Sequence, residues 1–137
     1  MVGAIETHLR EVVRDLILYH DVDEFWLGEQ GTFDSLSLIV MRGLKQEFKW
    51  ISLCILPAYY PSEAKLDWMY EQGYELIYPE VVDKALPQIA ILRRNEYMTQ
   101  HADYIVCYVK HKSGGAFKAV EQARKNGKKI INLAEYI

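Results

Sequence analysis

Cysteine is scarce in this chain of 137 residues, with two copies, Cys54 and Cys107. Each sits inside an apolar run, Ile51–Leu56 and Tyr104–Val109, with no spacing that suggests a disulfide framework or a metal pair. They read as buried, reduced thiols, the habit of a cytoplasmic protein. Long apolar runs are missing too. Nothing approaches the roughly 18 residues that a membrane helix needs. The start, Met1 followed by a mixed amphipathic stretch, carries no pattern of a secretory leader, so a cytoplasmic location is expected. A basic surplus is also lacking. Lys and Arg number 16 against 19 Asp and Glu, for a net charge of −3, which argues against nucleic acid as a partner. The histidines His8, His20, His101 and His111 lack metal-ligand spacing. No Gly-Lys-Ser/Thr follows any glycine loop, and no serine or cysteine stands in a nucleophile elbow. Neither a metal nor a cofactor is expected. Repeats, linkers and low-complexity segments are absent.

What is present fits one globular domain over residues 1–137. Half of the residues are hydrophobic and 26% are charged, the balance of a chain that buries a core. Ile5, Leu9, Val12, Val13, Leu16 and Ile17 recur at helical spacing and predict a helix over Ile5–Leu18. Glu24–Leu27 reads as a short strand, and a helix follows from Phe33 to Phe48. The continuous apolar run Ile51–Leu56 has the form of a parallel strand covered on both faces. A helix through about Gln72, a short strand at Leu76–Tyr78 and a helix over Pro87–His101 come next. Tyr104–Val109 is the strongest strand. A small-residue helix, Ala116–Asn126, stops at Gly127, and Lys129–Leu133 closes the pattern. Strands alternating with helices predict a mostly parallel sheet between two helical layers, a Rossmann-like three-layer α/β/α fold. Trp26, Trp50, Trp68 and most tyrosines are expected in the core and at interfaces.

In such sheets ligands sit beyond the carboxyl ends of the strands. Two glycine loops lie at that end. Gly28-Glu29-Gln30-Gly31-Thr32-Phe33-Asp34 joins a strand to a helix, where backbone amides and the helix start suit an anion. The alternative is a tight turn capped by Thr32 or Asp34. Ser113-Gly114-Gly115 repeats the arrangement after the strongest strand, with a simple glycine turn as its alternative. Arg94 and Asn95 could grip a phosphate or carboxylate, whereas Arg93 reads as a solvated residue paired with Glu96. Tyr59 and Tyr60 follow a strand and could stack on a base. Asp34 and Glu121 are the candidate catalytic carboxylates, although Glu121 at four-residue spacing from Lys125 suits an ion pair.

Gly28–Asp34, Leu56–Tyr59, Ile77–Glu80, Arg93–Met98, Ala102–Val109 and Gly114–Ala116 occur in an order that resembles the SLOG superfamily. The similarity is to its small YpsA-like members of bacteria and phages, and it runs from about Ile5 to Leu133. The resemblance implies a Rossmann-like sheet and a pocket for a nucleotide, a nucleotide sugar or an ADP-ribose-type molecule. By position, Gly28, Gly31 and Asp34 correspond to the family's first ligand loop, and Arg94, Asn95, Gly114 and Gly115 to the opposite wall. Relatives include the Lonely Guy phosphoribohydrolases and a DNA-loading protein. The Lonely Guy signature, Pro-Gly-Gly followed by Gly-Thr and a glutamate, is missing. The family's opening strand and its Gly-His-Arg turn are missing as well. That loss leaves four expectations: Val2–Ile5 supplies a stub, a partner chain fills the gap, neighbouring strands close up, or Met1 is a late start and the strand lies upstream. An open edge invites pairing, so a homo-oligomer is expected.

Ligand binding is therefore the expected function, as a sensor or sequestering module. The expected site comprises Gly28, Gln30, Gly31, Thr32, Asp34, Tyr59, Arg94, Asn95, Ser113, Gly114 and Gly115. The alternative is a nucleotide N-glycosidase of the Lonely Guy type.

Overall fold

The computed structural model describes residues 2–137. Helix α1 (Val2–Tyr19) leads to strand β1 (Glu24–Leu27), then α2 (Gly31–Glu47) and β2 (Ser52–Ile55). Next come α3 (Glu63–Glu71), β3 (Tyr74–Leu76), a short α4 (Glu80–Asp83) and, after a 3₁₀ turn at Pro87–Ile89, α5 (Ala90–His101). Strand β4 (Tyr104–Cys107), α6 (Gly115–Lys125), β5 (Lys129–Asn132) and a 3₁₀ turn at Leu133–Glu135 complete the chain. All strand pairs are parallel. The fold is a small Rossmann-like α/β fold.

Alternation along the strands explains the layers. Phe25 and Leu27 of β1, Leu53 and Ile55 of β2, Val106 of β4 and Ile131 of β5 all belong to one apolar core. Its other contributors include Ile5, Leu9, Val13 and Ile17 of α1 with Val40, Met41 and Leu44 of α2. These recur every three or four residues and form one buried stripe on each helix. Trp26, between Phe25 and Leu27, turns to the opposite face and stacks on Tyr97 of α5, ring planes 5° apart. Helices α1 and α2 pack together on one side, and α5 packs against α6.

The strand layer is interrupted. Strands β1, β2 and β3 form one sheet in the order β1-β2-β3, and β4 and β5 form another. The periodicity of a strand reports which face is apolar but not which neighbour it bonds, so the expected single sheet is replaced by two ladders. Val2–Ile5 forms the first turn of α1 rather than a strand stub. The third strand begins at Tyr74, two residues before the predicted start, because Tyr74 is the side chain that fills the core there, 1% exposed, and pairs with Leu53. Trp50 is exposed in the turn between Phe48 and Ile51, edge-on to Phe48 instead of in the core. No helix is long and apolar enough to cross a membrane among the described residues.

Candidate functional site

The exit of β1 places Gly28 against two charged side chains. A Cβ at Gly28 would lie 2.8 Å from Asp34 Oδ2 and 3.1 Å from Arg94 Nη1. The absence of that carbon is what lets a carboxylate from α2 and a guanidinium from α5 reach the same strand end. Asp34 Oδ2 accepts a hydrogen bond from the Gln30 N–H at 2.7 Å. This satisfies one of the free amides at the start of α2, where Gln30 itself supplies no side-chain cap.

Arg94 is 2% exposed. Its Nη1 donates to the Leu56 carbonyl at 2.9 Å, and its Nε donates to Asn95 Oδ1 at 2.9 Å. The guanidinium is thus fixed beneath the ends of β1 and β2, and Asn95 orients it. Burial pushes the Asp34 carboxyl above its ordinary value, opposed by the Gln30 N–H and by Arg94. Burial likewise pulls Arg94 down, opposed by Asp34 and Glu29. Glu29 is held aside by Lys65, Nζ to Oε2 2.5 Å.

The second glycine loop is built differently. Gly114 has φ +92°, in the left-handed region that favours glycine, and Gly115 opens α6. No side chain caps this helix and no acid stands in its first turn. Lys110, His111, Lys112, Ser113 and Lys118 around it are exposed. The Asn132 side chain braces the loop's entrance. Its Oδ1 accepts from Val109 N–H at 3.0 Å and Ala134 N–H at 3.1 Å, while Nδ2 donates to the Val109 carbonyl at 2.9 Å.

Of the residues expected in the site, Gly28, Gln30, Asp34, Arg94 and Asn95 are gathered at one strand exit, as two hydrogen-bonded pairs, Gln30–Asp34 and Arg94–Asn95, that meet over Gly28. Gly31 (φ +90°) and Thr32 are exposed at the same helix start. Tyr59 is half-exposed, and its hydroxyl donates to the Pro87 carbonyl at 2.9 Å. Tyr60 packs edge-on against Tyr78. Ser113, Gly114 and Gly115 form the α6 start, and no hydrogen bond or salt bridge joins them to the first loop. Glu121 pairs with Arg124 at 3.6 Å, one turn along α6, in place of Lys125. Arg93 donates to Glu96 at 2.7 Å. Two open surface concavities, of about 560 and 270 Å³, lie elsewhere. Val81, Leu86 and Arg93 line the larger and Ile39 and Arg42 the smaller, and none of the expected site residues lines either.

Two contributors escaped sequence reasoning. Lys65 neutralises Glu29 from another helix, which no local pattern announces. Asn132 stands in a strand, where an amide has no favourable propensity, and that incongruity was its one signal. Both cysteines are free, with Cys54 buried and Cys107 half-buried. No cluster of three metal-binding side chains exists among the described residues. Compared with protein-family profiles, with curated proteins and with solved structures, the chain matches none.

Proposed function

We propose that the chain binds a nucleotide-derived small molecule at the carboxyl ends of its strands, as a sensor or sequestering module. The observation that carries this reading is the pairing of buried Arg94 with half-buried Asp34, fitted against Gly28. A cation and a carboxylate held at a strand exit are costly to keep without a use. The two loops divide the chemistry. Asp34 at the first suits the hydroxyls of a ribose. The uncapped amides of α6, among Lys110, Lys112 and Lys118, suit phosphate. The ordered motifs shared with the SLOG superfamily support the same ligand class, and a cytoplasmic location fits it. Copies of the chain are proposed to associate, which sedimentation over a range of concentrations checks.

Titration with nucleoside monophosphates, NAD and ADP-ribose, followed by melting temperature, tests the binding reading. At 100 times the dissociation constant, a ligand stabilises the fold by about 2.7 kcal/mol. Unchanged melting with every compound overturns it.

One observation favours a second reading. The raised Asp34 carboxyl is suited to proton transfer, as an N-glycosidase of nucleotides requires. Release of free base, lost in Asp34→Asn, supports that reading, and intact nucleotides after prolonged incubation remove it.

A further inference from the structure

The two ladders share one core, yet neither hydrogen-bonds to the other. Residues of β1, β2, β4 and β5 turn to the same core, and α1 packs both on α2 and on the 3₁₀ turn after β5. The starts of β1 and β4 are neighbours. The Tyr104 hydroxyl stands 3.5 Å from His20 Nδ1, just before β1. The Trp26 ring centre is 6.1 Å from that of His101, just before β4.

Along β1, the carbonyls of Asp23 and Leu27 accept from Ser52 and Leu56. Alternation then turns the N–H and C=O groups of Glu24 and Trp26 away from β2. Along β4, the Asp103 carbonyl accepts from Lys129 N–H, so the groups of Tyr104 and Val106 turn away from β5. None of these outward groups has a partner among the described residues. β4 shows the consequence. Although its sequence is Tyr-Ile-Val-Cys, it is only partly buried along its whole length, whereas β2, paired on both sides, is buried from Leu53 to Ile55.

We propose that the interruption between β1 and β4 is a docking slot for an extended segment of a partner polypeptide, inserted as a strand parallel to both. Two rows of alternating amides and carbonyls are complementary to another extended backbone. With α1 on one face and α5 on the other, the inserted segment is apolar on both faces, rich in Val and Ile and free of proline. Charge sets its flanks. Asp21, Asp23, Glu24 and Asp103 are exposed at the amino end of the slot and outnumber the lysines there, Lys129 over the Tyr104 ring and Lys128 on the Gln100 carbonyl. Lys110, His111 and Lys112 follow at the carboxyl end. A parallel segment with basic residues before its apolar run and acidic residues after it matches both ends. This proposal stands independently of the small-molecule reading.

The test leaves the protein unaltered and adds the peptide acetyl-Arg-Arg-Val-Ile-Val-Ile-Val-Glu-Glu-amide. Amide exchange at Trp26, Tyr104 and Val106 is expected to slow at least about tenfold on saturation. The same peptide N-methylated at alternate residues is expected to have no effect, and the version with its end charges exchanged to bind more weakly. No slowing at about 1 mM peptide, or equal slowing by the N-methylated form, overturns the proposal. So does slowing without peptide that grows with protein concentration, which would assign the slot to a second copy of this chain.

Discussion

Replacing Gly28 by alanine probes the cluster at the end of β1 with a single carbon. The new Cβ meets Asp34 Oδ2 at 2.8 Å and Arg94 Nη1 at 3.1 Å. Neither neighbour retreats freely, since Arg94 is fastened to the Leu56 carbonyl and Asp34 to the Gln30 N–H. Gly28 does not have a positive φ, so the cost comes from packing rather than backbone strain. Overpacking of this kind costs about 1–3 kcal/mol, and loosening a charged hydrogen bond adds about 1 kcal/mol. We expect a loss of about 2–4 kcal/mol in urea unfolding followed by circular dichroism, equivalent to roughly 6–12 °C in melting temperature. Gly43→Ala is the matched control. Its Cβ meets nothing, and Gly43 lies exposed inside α2, so alanine there should stabilise by about 0.5–1 kcal/mol. A Gly28→Ala protein within about 0.5 kcal/mol of the parent would refute the reasoning.

Three further outcomes follow from other contacts. Below pH 3.8 the Asp34 carboxyl is protonated in both folded and unfolded chains; above it the unfolded chain releases its proton first, because burial raises the folded value. Parent stability relative to Asp34→Asn should therefore fall as pH rises from 3.8 through the folded value, and a relative gain over that window contradicts the assignment. Asn132→Ala removes three hydrogen bonds around Val109 and Ala134 and should cost about 1–3 kcal/mol, with faster amide exchange at both residues; unchanged exchange at Val109 would count against the brace. Burial pushes the Cys54 thiol up to about 12 and the Cys107 thiol up to about 11. Iodoacetamide at pH 8 should label both at least about a hundredfold more slowly in the folded chain than in urea; rapid native labelling of Cys107 is the contrary result.

The alternation of helices and strands was legible because each strand is a short run rich in apolar residues, all but β4 with a glycine or proline within two residues of one end, and each long helix carries one apolar stripe. The run Ile51–Leu56 announced a strand buried on both faces, and it is the central strand of its ladder. The interruption between β1 and β4 was not legible in side-chain patterns, which report faces and not backbone pairing; only the missing opening strand of the family resemblance left a gap among the expectations. Within the candidate site, helical spacing distinguishes Arg94 from Arg93. Ala90, Arg94, Tyr97 and His101 fall on one face of α5, the face that meets β1, while Arg93 pairs outward with Glu96. The contact between Gly28 and the Asp34–Arg94 pair depends on three elements meeting, which no local spacing reveals. Trp50 shows the limit of composition, because a large apolar ring beside a turn packed on one neighbour and stayed exposed.

Backbone amide spectra recorded during titration with ADP-ribose and with nucleoside monophosphates test ligand binding at the strand exits most directly. Saturable shifts at Gly28, Gly31, Gly114 and Gly115, lost together in Arg94→Met while the spectrum stays folded, are the expected result. Saturable shifts confined to the Val81–Leu86 concavity, or no shifts with any of these compounds, would contradict it.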